Sequence, residues 1–168
     1  MDQSVDAPEK SRDRLIEITL DAKSLGRTSS NIEHEREVAI FDILDGNAFR
    51  VDGVDAGPYK LNLSLVDERL LLTISPSDSV SGGEPVEQGV ALTPLKRIVK
   101  DYFMICESYY EAVRTAPPAR IQAIDVSRRA LHDEGSVLLK EKLLPKIIVD
   151  DDTSRRLFTL VCSLHWKG

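Results

Sequence analysis

Residues 93–116 combine a helix-start signal with an unusually broad apolar face. Thr93 can accept hydrogen bonds from the free N–H groups of a first helical turn, and Pro94 suits a first helical position because its missing N–H has no partner there. At about 100° per residue the apolar side chains fall on one arc of about 160°, wider than an ordinary surface helix shows. The arc contains Leu95, Ile98, Val99, Tyr102, Phe103, Ile105, Cys106, Tyr109, Tyr110 and Val113. This pattern predicts a helix that two or three other elements contact, with its tyrosines in the core rather than in a site.

Length, composition and charge are those of a soluble globular protein. The 168 residues suffice for one domain with a core, and 42% hydrophobic and 30% charged residues are ordinary proportions. The net charge of −6 disfavours nucleic acids and anionic membrane surfaces as partners, because both bind basic patches. No apolar run approaches the roughly 18 to 20 residues of a membrane span, so we expect no membrane partner.

The cysteines and the first residues indicate a cytoplasmic protein. The start of the chain, MDQSVDAPEKSRDR, is charged and lacks the apolar stretch of a secretory signal. Cys106 and Cys162 each fall in or beside an apolar helix face, as small core residues in a reducing compartment do. The sequence therefore predicts two free, unreactive thiols.

The chain is organised as a tail and a single domain. Residues 1–12 are polar and aperiodic, which predicts a disordered tail. Residues 13–168 contain neither a repeat nor a sharp boundary, so we expect one domain there. Within it, residues 75–89 are rich in Ser, Gly, Pro and acids, which predicts a mobile loop.

Alternating apolar residues predict a strand and a central hairpin. The first strand spans residues 14–21, with Ile16, Ile18 and Leu20 on one face. Residues 59–75 alternate on both sides of Asp67 and Glu68. With those two acids as the loop, the pairs are Leu65 with Leu70, Leu63 with Leu72 and Leu61 with Ile74. This register puts every large side chain on one face, as a half-buried hairpin requires.

A helix predicted from Ser30 to Leu44 is uneven in charge. Ser30 and Glu33 have capping-box spacing, and Asn31 is a second candidate cap. The first half is almost wholly charged, whereas residues 38–44 are apolar nearly all round. We therefore expect the front end to project from the body or face a partner, and the back end to be buried.

The remaining segments complete an α+β domain. Residues 118–144 predict a long helix, residues 146–149 a short strand and residues 153–166 a last helix. The expected architecture is a small antiparallel or mixed sheet with a central hairpin, covered by about four helices. Its sheet edge and uneven helix charges are compatible with a homodimer.

Five segments in a fixed order resemble a known family. They are SNIEHEREVAIFDIL, GPYKLNLSLVDERL, LTPLKRIVKDYFMICESYYEAVRTA, IQAIDVSRRALHDEGSVLL and DTSRRLFTLVCSLHWKG. Together they resemble a small uncharacterised protein family of alphaproteobacteria, over most of the chain. The resemblance implies a bacterial, cytoplasmic, single-domain protein, and it brings neither an assigned activity nor any site residues.

Three polar residues interrupt the apolar stripe of the helix predicted over residues 118–144. Asp125, Arg128 and His132 lie three and four residues apart, so they share one helix face. Buried charges are costly unless they are paired, so the cluster is either a satisfied internal network or a site. As a network it would join this helix to the preceding one through an ion pair and a tyrosine hydroxyl, with Gly135 allowing a close approach.

The charged start of the Ser30 helix is a second candidate. It contains Asn31, Glu33, His34, Glu35, Arg36 and Glu37. Glu33 and Glu37 lie one turn apart, so they either share a divalent cation or belong to a solvated face with acids near the helix N-terminus. Like charges at this spacing cost only about a few tenths of a kcal/mol. No metal is needed to explain them, and we predict neither a metal nor a cofactor.

Pairs of adjacent bases recur on three predicted helices. They are Lys96–Arg97, Arg128–Arg129 and Arg155–Arg156. If they converged they could hold a phosphate or another anion; if not, they belong to solvated helix faces. The chain has no Walker A, Gly-x-Gly-x-x-Gly, Gly-x-Ser-x-Gly or His-Glu-x-x-His motif.

Two functional hypotheses follow. The missing catalytic signatures and the charged helix start favour a non-enzymatic interaction or regulatory protein with a protein partner. The alternative is an enzyme or binding protein for a small anionic ligand, with Asp125, Arg128 and His132 in its pocket. Arg36 or Arg97 would lie nearby in that case.

Overall fold

Eleven elements of secondary structure follow one another in the part of the chain that the computed structural model describes, residues 12–26, 28–54, 57–77 and 84–165. They are β1 (Leu15–Leu20), α1 (Ala22–Leu25), α2 (Ser30–Asp45), β2 (Phe49–Val51), β3 (Tyr59–Val66), β4 (Arg69–Pro76), β5 (Val86–Ala91), α3 (Thr93–Thr115), α4 (Pro118–Leu143), β6 (Ile147–Val149) and α5 (Asp151–His165). The predicted tail lies outside the described ranges except for Arg12.

The α+β fold is confirmed, and its main sheet is mixed. Four strands lie in the order β1-β3-β4-β5. Strand β1 runs parallel to β3, whereas the pairs β3–β4 and β4–β5 are antiparallel. Strands β2 and β6 form a separate antiparallel pair. None of the helices in the described ranges is both long and apolar enough to cross a membrane.

The hairpin of β3 and β4 has the predicted register. Leu65 pairs with Leu70, Leu63 with Leu72, and Leu61 with Ile74. Asp67 and Glu68 form the two-residue loop with φ of 50° and 59°. A two-residue turn with positive φ at both positions matches the twist of the hairpin strands. Asn-Gly is the sequence that most favours this turn. Asp67 tolerates this backbone conformation better than most residues, whereas Glu68 resists it.

Strand β1 departs from the predicted alternation. A register shift lies between Leu15 and Glu17 where β1 pairs with β3. Leu15 and Ile18 are buried, but Ile16 is 38% exposed. The prediction that Ile16 shares one face with Ile18 is wrong, because the irregularity turns the side chain of Ile16 outward.

The segment predicted as a loop over residues 75–89 is shorter than expected. Strand β4 continues to Pro76, and β5 already begins at Val86. Val86 pairs with Ile74 in the antiparallel ladder, so both ends of the predicted loop belong to paired strands. Residues 78–83 of the predicted loop lie outside the described ranges.

Two helices begin differently from the prediction. Helix α2 is capped by Ser29, whose hydroxyl accepts from the backbone N–H of Ile32 at 3.3 Å, so neither Ser30 nor Asn31 is the cap. Helix α3 has Leu92 at its N-cap position without a side-chain cap, and Thr93 belongs to the first turn.

The four long helices pack on one another in the order α3, α4, α5 and α2. Helix α4 contacts α3 and α5, and α5 also contacts α2. Gly135 of α4 permits the close approach of α5, because a Cβ there would lie 2.1 Å from Cζ of Phe158. The predicted close approach at this glycine is thus made by an aromatic ring. Phe158 itself is fully buried.

Candidate functional site

An open cleft of about 590 Å³ lies between α2 and α3, with α5 at its inner end. Its apolar lining consists of Ile32, Val38, Ala39, Tyr102, Phe103, Cys106, Tyr110 and Cys162, and its polar lining of Ser29, Asn31, His34, Glu35, Asp42, Glu107, Thr159 and Ser163. The volume falls in the range of roughly 300–1,000 Å³ found for ligand sites, which are also mostly apolar with a few polar groups. The cleft is therefore the leading candidate site.

One wall of the cleft comes from the apolar face of α3. Tyr102, Phe103 and Cys106 are only half-buried, and Tyr110 is 66% exposed. The prediction that the tyrosines of this face lie in the core is wrong for Tyr110, and Tyr102 is only partly covered. Periodicity identifies the residues that share a face, but it does not show whether another element covers them.

The other wall is the front end of α2, which is docked onto the body rather than projecting from it. Arg36 is buried, and its Nε donates to the backbone carbonyl of Ser163 in α5 at 3.2 Å. Burial lowers the pKa of Arg36, although Glu33 nearby raises it. Ile32, one turn earlier, is buried as well. The expectation of a projecting front end is wrong, because one basic side chain in the charged run faces inward.

The back half of α2 is less buried than predicted. Ala39 and Ile43 are buried, but Val38 is 44% exposed and Phe41 is 69% exposed. A helix that is apolar all round was expected to be buried. Among the described residues, other elements cover the side of α2 that contains Ala39 and Ile43, and they leave Val38 and Phe41 exposed.

The charges in the lining of the cleft have one sign. Glu35 and Asp42 come from α2 and Glu107 comes from α3. Among the described residues that line the cleft, none is Lys or Arg. These three acids are exposed, so they add negative potential to an otherwise apolar cleft without being buried in it.

Three weakly acidic groups in the cleft are held in their protonated forms. Burial raises the pKa of the Tyr102 hydroxyl, and neighbouring Cys106 raises it further. Burial also raises the pKa of the Cys106 thiol, and it raises that of Cys162 more strongly. Both cysteines are free, as expected. A thiol must lose its proton to act as a nucleophile, so this environment opposes thiolate chemistry.

Asp125 and Arg128 form an ion pair on α4. Nε and one terminal nitrogen of Arg128 donate to Oδ1 of Asp125 at 3.1 and 2.6 Å, and Arg129 reaches Oδ2 at 2.7 Å. The hydrogen bond from Arg128 holds the pKa of Asp125 below its usual value. The guanidinium of Arg128 also lies 4.5 Å from the ring centroid of Tyr109 in α3. The link between the two helices is thus a cation–π contact, where the sequence had suggested a tyrosine hydroxyl.

His132 connects the same face of α4 to α5. Its Nε2 lies 2.8 Å from the hydroxyl of Thr159, which donates to the carbonyl of Arg155. Since that hydroxyl has one proton, Nε2 of His132 is the donor in their contact. The imidazole packs beside the rings of Tyr102 and Phe158. Burial lowers the pKa of His132, which favours the neutral imidazole.

A smaller cavity of about 240 Å³ opens beside this cluster. Tyr102, Arg128, Arg129, His132, Asp133 and Arg155 line it. Arg129 and Arg155 were not among the predicted site residues, although each belongs to a doublet of adjacent arginines in the sequence. The recurrence of adjacent arginines in the sequence was the feature that could have identified these two residues. Asp125 does not line the cavity and instead orients two of the arginines that do.

The other predicted site residues separate into three groups. Asn31 and His34 line the large cleft. Arg36 does not line the cleft, but its hydrogen bond to Ser163 holds α2, one wall of the cleft, against α5. Glu33 and Arg97 are exposed and line neither cavity. In the described ranges no group of three or more His, Cys, Asp or Glu residues is arranged to hold a metal ion.

Comparison with known proteins gives a consistent assignment. The model of an uncharacterised protein family, UPF0262, matches residues 12–167. A UPF0262 protein of Rhizobium etli (strain CIAT 652) is 54% identical over 155 residues, which cover 92% of this chain and 96% of that protein. One from Azorhizobium caulinodans is 54% identical over 157 residues, covering 92% and 95%. One from Nitrobacter winogradskyi is 48% identical over 168 residues, covering 100% and 99%. No solved structure matches the chain. The resemblance seen in the sequence is thereby confirmed, and the chain belongs to the uncharacterised protein family UPF0262.

Proposed function

We propose that this protein is a non-enzymatic interaction protein that binds a basic amphipathic helix of a partner protein in the cleft between α2 and α3. One observation carries the proposal: the cleft combines an apolar lining with three carboxylates and has no Lys or Arg among the described residues that line it. The apolar lining suits the apolar face of a helix, and the carboxylates suit its basic flank.

The shape of the cleft favours a helix as its occupant. Helices α2 and α3 each pack on their own neighbours, α5 and α4, and they leave an open channel between them. Apolar groups remain exposed at the cleft, with Tyr110 on one wall and Val38 on the other. Exposed apolar groups gathered at a groove are typical of interaction sites.

The negative charge of the cleft favours a basic helix as its partner. The chain has a net charge of −6, and the cleft adds Glu35, Asp42 and Glu107 to its lining. A second copy of the chain also has a net charge of −6, so the two copies would repel one another overall. A basic partner avoids that repulsion and gains association rate from the opposite charge.

The chemistry of the lining favours binding without catalysis. The raised pKa values of Tyr102, Cys106 and Cys162 keep three potential nucleophiles protonated near neutral pH. We also propose a cytoplasmic location, because two free thiols are typical of a reducing compartment.

The proposal is tested with a synthetic amphipathic helix of leucine and lysine, titrated into the protein at fixed ionic strength. We expect saturable binding that Tyr110→Asp weakens by about tenfold, or 1.4 kcal/mol. Charge reversal of Glu107 to Lys should weaken it similarly and reduce its salt dependence.

The matched control is Val126→Asp, which puts the same charge on an exposed valine of α4 outside the cleft. It should bind the peptide like the unaltered protein. Absence of saturable binding, or equal weakening by Val126→Asp and Tyr110→Asp, would contradict the proposal. Equal binding of a leucine and glutamate peptide would contradict the charge argument.

A further inference from the structure

We propose that the smaller cavity, lined by Tyr102, Arg128, Arg129, His132, Asp133 and Arg155, is an anion site that takes a phosphate group. This site shares Tyr102 with the helix-binding cleft, but the arginines that define it do not line that cleft, and the site does not depend on the function proposed there. Residues from two of the three basic doublets in the sequence, Arg128–Arg129 and Arg155–Arg156, meet at this cavity.

The cavity offers many unused hydrogen-bond donors. Each guanidinium has five N–H groups. Arg128 and Arg129 direct only some of theirs to Asp125, and Arg155 has a loose contact of 3.5 Å from its Nε to Asp133. The remaining N–H groups are available to an oxyanion, and planar guanidinium groups match the oxygens of phosphate in pairs.

Local charge is opposite to that of the whole chain. Three guanidinium groups line the cavity or its edge, and two carboxylates, those of Asp125 and Asp133, contact them. Although the chain has a net charge of −6, this patch is locally positive and therefore attracts anions.

Arg128 and Arg129 are held in place by Asp125 before any ligand arrives. The side chain of Arg128 is 29% exposed and is fixed between Asp125 and the ring of Tyr109. Asp125 contacts Arg128 and Arg129 with different oxygens, so it aligns two neighbouring guanidinium groups at once. Preorganised donors lose less entropy on binding than free side chains do.

The cavity lies where three helices meet, which gives an anion contacts on more than one element. Tyr102 comes from α3, the paired arginines from α4 and Arg155 from α5. Thr159 occupies Nε2 of the neutral His132, and Nδ1 is then an acceptor, so the hydrogen bonds to an anion come from the guanidinium groups. A volume of about 240 Å³ suits a phosphate group and little more of its carrier.

Calorimetric titration with inorganic phosphate at constant ionic strength tests this site. We expect one saturable site, with Arg155→Gln and Arg129→Gln each lowering the affinity by about tenfold, since each removes donors to a charged group. Both side chains are more than half exposed, so these variants should fold normally. Arg120→Gln, an exposed arginine on α4 outside the cavity, is the matched control and should bind phosphate unchanged.

A parallel titration with glycerol 3-phosphate distinguishes the source of the group. Tighter binding of the ester indicates a phosphorylated metabolite, and equal binding indicates free phosphate; both support the site. Absence of saturable phosphate binding, or an equal loss in Arg120→Gln, overturns the proposal. Equal binding of chloride at the same ionic strength also overturns it, because chloride needs only diffuse positive charge.

Discussion

The Nε of Arg36 donates a hydrogen bond to the backbone carbonyl of Ser163, and the two residues are 127 positions apart in the chain. Ser163 is among the last four residues of α5, whose carbonyls have no N–H partner within the helix. A positive charge at this end also complements the helix dipole. The contact holds the front end of α2 against α5, and it thereby fixes one wall of the cleft.

Removing this contact should destabilise the fold. Arg36→Ala is expected to lower the free energy of unfolding by about 2–3 kcal/mol, because it deletes a hydrogen bond from a charged group and the packing of a long side chain. Urea denaturation measures this change. Arg36→Met keeps most of the packing and should recover part of the loss.

Hydrogen exchange locates the same effect. In Arg36→Ala the amides of the first turns of α2 should exchange faster, whereas those of the β3–β4 hairpin should not change beyond the global loss of stability. The control is Arg120→Ala, at an exposed position, with an expected change within about 0.5 kcal/mol. Equal destabilisation by Arg36→Ala and Arg120→Ala would disprove the anchoring role.

The contact of Gly135 with Phe158 predicts a severe effect for one added methyl group. A Cβ at position 135 would lie 2.1 Å from the ring, so Gly135→Ala should cost about 1–3 kcal/mol or more through overpacking. Thermal and urea unfolding both measure it. Gly46→Ala is the control, because a Cβ there has no atom within 4 Å.

A second substitution separates this cause from a general helix effect. Phe158→Leu should destabilise the unaltered protein but cost less in the Gly135→Ala background, since the smaller side chain relieves the clash. Strict additivity of the two changes would show that the ring is not the obstacle.

The hairpin turn predicts a stabilising substitution. Glu68 has a φ of 59°, so Glu68→Gly should raise the free energy of unfolding by about 1 kcal/mol by removing backbone strain. The change also removes an ion pair between Glu68 and Lys96, but both side chains are largely exposed and such pairs contribute little. The midpoint of urea unfolding should rise.

Glu68→Ala provides the matched comparison, because it removes the ion pair and retains a residue that resists positive φ. We expect no stabilisation from it. A rise equal to that of Glu68→Gly would assign the effect to the side chain instead of the backbone.

The thiols of the cleft predict a particular pH dependence of alkylation. Burial raises the pKa of Cys106, so at any given pH its thiolate fraction is smaller than that of a free thiol, whose pKa is about 8.5. The rate of reaction with iodoacetamide, followed by mass spectrometry, should still be rising at about pH 9. Cys162 is more deeply buried and should react more slowly. A plateau of the Cys106 rate by about pH 8 would mean an activated thiol and would contradict non-enzymatic binding.

Much of the fold could be predicted because it depends on local patterns. The hairpin register follows from alternation alone, since a shift by one residue would expose every leucine on its buried face. The bounds of α4 follow from Pro118 and from the apolar stripe. Pairings between distant segments could not be predicted in the same way. The partner of β2 is β6, and nothing local in Phe49–Val51 identifies Ile147–Val149.

The site was harder to predict than the fold for a related reason. Arg36 looks like its charged neighbours in the sequence, and only the position of Ser163 explains its burial. Tyr110 and Leu95 belong to the same apolar arc, yet one is 66% exposed and the other is fully buried. Whether an apolar face becomes core or cleft depends on which element packs against it, and this is a tertiary property.

Site-specific photocrosslinking in the native bacterium shows whether the cleft between α2 and α3 holds a basic helix of a partner protein. A benzophenone amino acid replaces Tyr110 in the cleft or, as the control, Val126 on α4, which is similarly exposed and lies outside it. We expect adducts at position 110 and not at 126, with the crosslinked peptide mapping to a basic amphipathic helix of another protein. Absence of an adduct specific to position 110, or adducts only to acidic or non-helical segments, would contradict the proposed function.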